Sequence, residues 1–427
     1  CLTQISLVKT ETYARTQKPV KEYNTNAKIE AFKDIVKNLS WKEVLNETND
    51  AEKAFNAFMT LFMDLYNAQF PYKRNQNKGK INKNKSPWMT RCILKSVRNK
   101  NKLYKSFLNN PNDRNRQKYT KYKNKLNHII KLAKKIYYEE QLIKYKQNPK
   151  MMWKTLNELL NKPTKNTKLS KTFLESNSLN LIEDPHKIAN KFNDYFINIG
   201  PNLAKNINSG DNDTFEKYLT GSYPSSFFID AVTQNELENE IANMKPNKSS
   251  GCDDINTKII KKTVKEISKP LAHIFNLSFL SGIIPDNLKV ALVTPIYKSN
   301  DETKFENYRQ ISVLTCFSKL LEKLIAKRLT TFIDKHKILS KHQYGFRQNR
   351  STEHAIMDFV DKITTAIDQG KFSVGIFLDL SKAFDTINHR ILIRKLDHYG
   401  IRGVAKKWFE NYLCNRKQLV KYNGVKS

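Results

Sequence analysis

The chain has 427 residues, 75 of them Lys or Arg against 41 Asp or Glu, for a formal net charge of +34 and a mean hydropathy of −0.64. That length suits two or three domains, and the 39% apolar share can fill their cores. No apolar run reaches the ~18 residues of a membrane span and no signal peptide is seen, so the expectation is an intracellular protein, nuclear or cytoplasmic, with no membrane partner. A charge of this size repels itself and gains nothing for folding, which points to a polyanionic partner, most commonly nucleic acid. A/T-rich coding sequence would produce the same Lys- and Asn-heavy composition without such a partner. Cys1, Cys92, Cys252, Cys316 and Cys414 are scattered, with no CxxC pair. That argues against a zinc site and fits a reducing compartment. The first residue is Cys, which reads as a fragment.

Residues 1–27 are polar and patternless, a linker or the tail of an upstream domain. Helical spacing begins with Ile29, Phe32, Ile35 and Val36, and returns in Phe55, Phe58, Met59, Phe62 and Leu65 after Asn49-Asp50. Residues 71–150 hold 24 Lys+Arg and 3 Asp+Glu, so +21 of the total. Within them Tyr119, Tyr122, Leu126, Ile129, Ala133 and Ile136 recur at steps of three and four, the pattern of an amphipathic helix with a narrow seam. Lys121, Lys125, Lys131 and Lys135 lie off that seam. They read as phosphate contacts of low sequence preference, or else as a solvated face. Pro149 and Pro163 bracket a short helix around Trp153, and a helix near His186–Ile199 is expected to end at Gly200-Pro201. A Asn/Ser/Gly-rich stretch follows, so 28–200 reads as a helical basic connector and 201–232 as a linker.

From 233 the pattern changes. Thr233 and Glu236 form a capping box opening a helix. A turn at "KPNKSSGCDDI" precedes a helix to about Lys269 and another after Pro270. The β-rich "KVALVTPIYK" follows, then helices around Leu320–Phe332 and Ala355–Ile367, a strand "FSVGIFLDL", and helices at Ile391–Leu396 and Trp408–Tyr412. Helices with few strands suggest an α/β or α+β catalytic domain.

Asp379 ends that last apolar strand. A strand-end carboxylate beside loops is one way to hold Mg²⁺, which takes one or two protein carboxylates with phosphate and water; taken alone it is more often a helix cap, here for a helix starting near Ser381. Lys298 closes "VTPIYK" and Arg309 follows eleven residues on in "ENYRQIS". Together they are a plausible triphosphate clamp, Arg as a fork and Lys as a point charge, or two surface cations of a basic protein. "YGFRQNRSTEHAI" adds Arg347 and Arg350 ahead of a helix capped by Ser351 or Thr352, where phosphate or a template strand has room.

"PNKSSGCDDINTKII", "TPIYKSND…ENYRQISVLTCFSKLLEKLI", "QYGFRQNRSTEHAI" and "FLDLSKAFDTINH" resemble, in order and spacing, the reverse transcriptase of non-LTR (LINE-type) retrotransposons, most nearly the Jockey/CR1-like group. The resemblance spans roughly 235–427 and is looser over 28–200, where "PWMT", "AKKIYY" and "MMWKTLNELL" look like the family's helical connector. It implies an α+β protein: a helical basic N-terminal connector, then over 233–427 the fingers and first part of the palm of a right-hand polymerase. It makes Asp379 the first catalytic aspartate, ligating both of two Mg²⁺ ions, with the Leu380 carbonyl on one of them. Phe384 takes the place of the aromatic under the incoming sugar, which excludes a 2′-OH. Lys298 and Arg309 match the residues that hold the triphosphate. Asp385 takes a structural part, as a cap or a hydrogen bond to the fingers. The implied partners are an RNA template, a DNA primer or target and dNTPs, and the implied chemistry is two-metal nucleotidyl transfer.

Two departures qualify this. The family's "NYRPIS" reads "NYRQIS", and Gln310 in place of Pro is expected to loosen that loop. The chain also ends at Ser427, ahead of the family's "PQGS" turn and paired aspartates, and carries no endonuclease residues upstream. The expectation is therefore a truncated copy, inactive alone. A non-enzymatic nucleic-acid-binding fragment is the competing reading, and a group II intron-type maturase a third.

Overall fold

In this computed structural model the described residues are 20–21, 26–47, 49–73, 86–160, 170, 172–174, 181–205, 214–246, 248–380 and 382–427. They form a mixed fold of helices and small sheets, in two compact units. One unit contains the described residues 86–160; the other contains the described residues of 20–73 and 170–427. These boundaries fall elsewhere than the composition shifts do, because residues 26–73 share a core with residues beyond 230.

In chain order, β1 (Val20–Lys21) is followed by α1 (Asn26–Lys37), α2 (Lys42–Asn46) and α3 (Ala51–Gln69), and β1 pairs with β2 (Tyr72–Lys73). Asp50 caps α3, its carboxylate accepting from the N–H groups of Glu52 and Lys53. The apolar stripe of α3 is buried: Phe55, Phe58 and Phe62 each meet the ring of Phe317 edge-on. The other unit contains α4 (Arg91–Asn109), α5 (Asp113–Lys144) and α6 (Pro149–Leu159), capped by Thr90, Asn112 and Asn148.

Beyond it, β3 (Phe173–Leu174) pairs with β4 (Leu181–Ile182), and α7 (Pro185–Lys205) follows. α7 does not stop at Gly200-Pro201 but runs through both, since a proline near a helix end forfeits only one intrahelical bond. Next come α8 (Gln234–Ala242), where Thr233 accepts from the Glu236 N–H as the capping box requires, then α9 (Thr257–Lys262) and α10 (Val264–Ser281). The break between the last two falls at Thr263, and α10 passes through Pro270, where the sequence pattern suggested a new start.

β5 (Val290–Tyr297) and β6 (Tyr308–Val313) form an antiparallel hairpin. Then come α11 (Cys316–Lys335), α12 (Thr352–Asp368), α13 (His389–His398) and α14 (Gly403–Leu413), and finally β7 (Lys417–Tyr422) and β8 (Val425–Lys426). The strand order is β6-β5-β7-β8, with β7 parallel to β5. One face of this sheet is covered by α7, through a cluster of Phe173, Phe192, Phe305, Tyr308 and Tyr422. Trp408 of α14 is buried in the larger core, its indole N–H donating to Ser278. Among the described residues no helix is long and apolar enough to cross a membrane.

Candidate nucleotide and nucleic-acid site

The β5–β6 hairpin is closed by its own side chains. Asp301 accepts from the N–H and hydroxyl of Thr303, Tyr308 donates to the Glu302 carbonyl, and the Lys298 N–H bonds Asn307 O at 2.8 Å. The register sets Ile296 opposite Arg309. Because side chains alternate along a strand, Val293 and Tyr308 point into the α7 cluster, while Ile296, Lys298, Arg309 and Ile311 share the other, exposed face. Lys298 and Arg309 thus stand together on one face. Neither has a carboxylate partner among the described residues.

The segment expected as the strand Phe372–Leu380 is not a strand. Its backbone pairs with no strand among the described residues, and Phe372, Val374, Ile376, Phe377, Leu378 and Leu380 are each at least 75% exposed. The composition is strand-like, but a strand holds its shape only against a neighbour that takes its N–H and C=O groups. Asp379 is exposed, and its carboxylate has no hydrogen-bond or ionic partner among the described residues. Ser381, the expected helix start, lies outside the described residues. Residues 382–386 form a turn, and α13 begins only at His389, capped by Asn388.

That turn is anchored from two sides. Gln310 of β6 donates to the Asp385 carboxylate at 2.8 Å, so Asp385 has the hydrogen-bonded part expected of it, and Gln310 is a tie instead of the loose point its departure from Pro suggested. Gly200 of α7 abuts the Asp385 carbonyl so closely that a Cβ there would lie 2.2 Å from it. Lys382, at φ 50°, extends its ammonium to the Tyr195 hydroxyl at 3.3 Å. Neither Gly200 nor Gln310 was legible as a site residue, because each acts through a partner distant in sequence.

Phe384 is 75% exposed and meets Phe346 edge-on, with ring centroids 5.9 Å apart. Phe346 belongs to the loop ahead of α12, whose cap is Ser351. In that loop Arg347 is a brace, donating to the Ser340 carbonyl at 3.0 Å and lying 3.9 Å from Asp334. Arg350 is exposed and lies over the Tyr344 ring at 5.3 Å.

The Asp379 carboxylate and the Leu380 carbonyl are oxygen donors of the kind a hard divalent ion takes, a fit to part of one ion's shell, the remainder coming from phosphate and water. No group of three His, Cys, Asp or Glu able to hold a metal occurs among the described residues.

In the other unit α4 and α5 form a helical hairpin. Leu126 and Tyr138 are buried on α5, and Tyr104 of α4 meets Tyr119 at 5.1 Å. Ile129 and Ile136 are 43% and 46% exposed, off the expected seam, since a 3.6-residue turn drifts away from a 3.5-residue repeat. Lys121, Lys125, Lys131 and Lys135 are all exposed. Only Lys135 of the four has an acidic neighbour, Glu139 at 3.8 Å, among the described residues.

Residues 296–427 match the family "Reverse transcriptase (RNA-dependent DNA polymerase)". Over 181 residues the chain is 33% identical to the "RNA-directed DNA polymerase from mobile element jockey" of Drosophila melanogaster, covering 42% of this chain and 20% of that protein. It is 32% identical over 203 residues to the "Probable RNA-directed DNA polymerase from transposon BS" of the same species, covering 47% and 22%. With the "Probable RNA-directed DNA polymerase from transposon X-element", also from that species, identity is 27% over 194 residues, covering 44% and 21%. The matches span about a fifth of the length of these relatives. Lys298, Arg309, the "FLDLSKAFD" segment and the helices α11 and α12 all fall within residues 296–427, the part of the chain that matches the reverse transcriptase family.

Proposed function

We propose that the chain supplies the nucleotide-binding hairpin and the first metal-binding aspartate of an RNA-directed DNA polymerase that copies an RNA template from a DNA primer. The observation that carries this reading is the shared, exposed face of Lys298 and Arg309, two cations with no acidic partner among the described residues. In this reading 233–427 belongs to the fingers and the start of the palm. Arg309 forks onto the triphosphate and Lys298 adds a point charge, which together orient the nucleotide and offset its negative charge. Asp379 and the Leu380 carbonyl hold Mg²⁺, which when bound would neutralise phosphate charge as the primer oxygen attacks. Phe384 lies under the sugar and disfavours a 2′-OH. Asp385, tied by Gln310, keeps the turn that carries Phe384 against β6. Arg350 and the exposed lysines of α5 take phosphates of the nucleic acid.

The test has two parts. Photo-crosslinking of an azido-dNTP to the 427-residue chain should fall at least tenfold in Lys298→Ala and Arg309→Ala. In a protein that joins this chain to a paired-aspartate segment, primer extension on an RNA template should require a divalent ion and be abolished by Asp379→Asn. Retained extension in that variant removes Asp379 from the metal site. A second reading, nucleic-acid binding without catalysis, is favoured by one observation: among the described residues the Asp379 segment is held in no sheet. Divalent-dependent incorporation would eliminate it.

A further inference from the structure

The loop ahead of α12 holds a phenylalanine where its backbone disfavours one. Phe346 lies in the left-handed region at φ 59°, as does Asn349 at φ 60°. Asparagine tolerates that region, whereas a bulky side chain there is an outlier. The Phe346 ring is 93% exposed, so no core packing offsets the strain. Strain kept for the sake of a side chain in water indicates that the ring is used by something outside the fold.

The surroundings indicate what that is. Phe384 presents a second exposed ring, 75% exposed and almost perpendicular to the first at 87°. Lys341 is exposed in the same loop, and Arg350 has no carboxylate partner among the described residues. Arg347 is locked by Ser340 and Asp334 and keeps the loop in place. An open aromatic plane rimmed by cations suits a nucleobase, which stacks through its π-face whatever its identity while its phosphates meet the basic rim. An apolar protein surface would gain nothing from the cations, and an acidic one nothing from the rings.

We propose that Phe346 is a stacking platform for an unpaired nucleobase, with Phe384 as the adjoining wall, an inference that rests on the polymerase reading above. Two sources carry such a base, the template strand and the incoming nucleotide.

The test uses the 427-residue chain with Phe346→Ala, Phe346→Gly and Phe346→Trp. The probes are a primer–template with an unpaired RNA overhang, the same with an abasic overhang, a blunt duplex, and an azido-dNTP alone. Anisotropy should show Ala and Gly weakening overhang binding about tenfold, the loss of one base–aromatic stack. Trp should restore it, abasic and blunt probes should be indifferent, and the salt dependence should not change. If the base is the nucleotide's, the same loss appears in dNTP crosslinking and not in overhang binding. Phe346→Gly should also raise the thermal midpoint by relieving φ, opposite to what a structural ring would do. Equal binding by Ala and wild type to every probe would overturn the inference alone, as would an equal loss on abasic and blunt probes or a lowered midpoint in the Gly variant. Failure of the wild-type chain to bind any probe would overturn the polymerase reading as well.

Discussion

Asp253 sits in the turn before α9 with one carboxylate oxygen accepting from the Ile255 N–H and the other buried with no hydrogen-bond partner among the described residues. Burial pushes its carboxyl up to about 6, and neighbouring Asp254 adds to the shift. The unfolded chain ionises the group near 4, so between about pH 4 and pH 6 the folded state holds the extra proton and stability falls as pH rises. The penalty is fully present above the folded value and amounts to about 3 kcal/mol at most. Asp253→Asn should remove this slope. Urea unfolding at pH 4.5 and pH 7 is the check, with the difference between wild type and variant isolating the group. The same turn shows why a glycine is needed: at Gly251 a Cβ would lie 2.6 Å from the Thr315 nitrogen.

Two contacts between elements carry testable weight. Arg328 of α11 is 11% exposed and forks onto Glu236 of α8 at 2.8 and 2.9 Å, with further bonds to the carbonyls of Asp230, Ala231 and Leu324. Arg328→Ala leaves those acceptors half-buried and should cost about 3 kcal/mol in chemical denaturation. Arg328→Lys should recover little, since an ammonium cannot fork. Beside it the Lys323 hydrogen bond holds the Glu240 carboxyl below its usual range, so that contribution is present above the unfolded pKa and is lost as pH falls. The second contact is α7 against the 382–386 turn. Gly200→Ala should destabilise by about 1–3 kcal/mol through overpacking. Combined with Gln310→Ala the loss should be less than additive, because both substitutions release the same Asp385.

Over the whole molecule, +34 of net charge would make any nucleic-acid affinity a function of salt. Log K should fall linearly with log salt, at a slope of about −0.9 per duplex phosphate contacted and about −0.7 per single-strand phosphate. Replacing Lys121, Lys125, Lys131 and Lys135 with Gln should shallow that slope alike for unrelated sequences. An unchanged slope in filter binding would make the α5 lysines a solvated face. Leu126→Ala should lower helix content and Ile129→Ala should not, because Leu126 is 4% exposed and Ile129 43%. Apolar exposure is the other molecular-scale feature: α12 has no buried residue, and with 372–380 it leaves a broad apolar surface open.

The caps at Thr233 and Ser351 were legible because each depends on local order. Periodicity likewise located α3, α5, α11 and α12, since a helix is written in spacings of three and four. What the sequence could not determine was pairing. Whether Phe372–Leu380 is a strand depends on a neighbour, not on its own alternation, and among the described residues no neighbouring strand takes its backbone. Gln310 and Gly200 matter only because Asp385, distant from both in the chain, folds against them. The apolar stripe of α3 reveals that it is buried, but only tertiary packing brings Phe317 there to meet it. Local propensity and spacing are properties of one segment. Hydrogen-bond pairing, close backbone approach and core membership are properties of two, and only the folded chain decides which two.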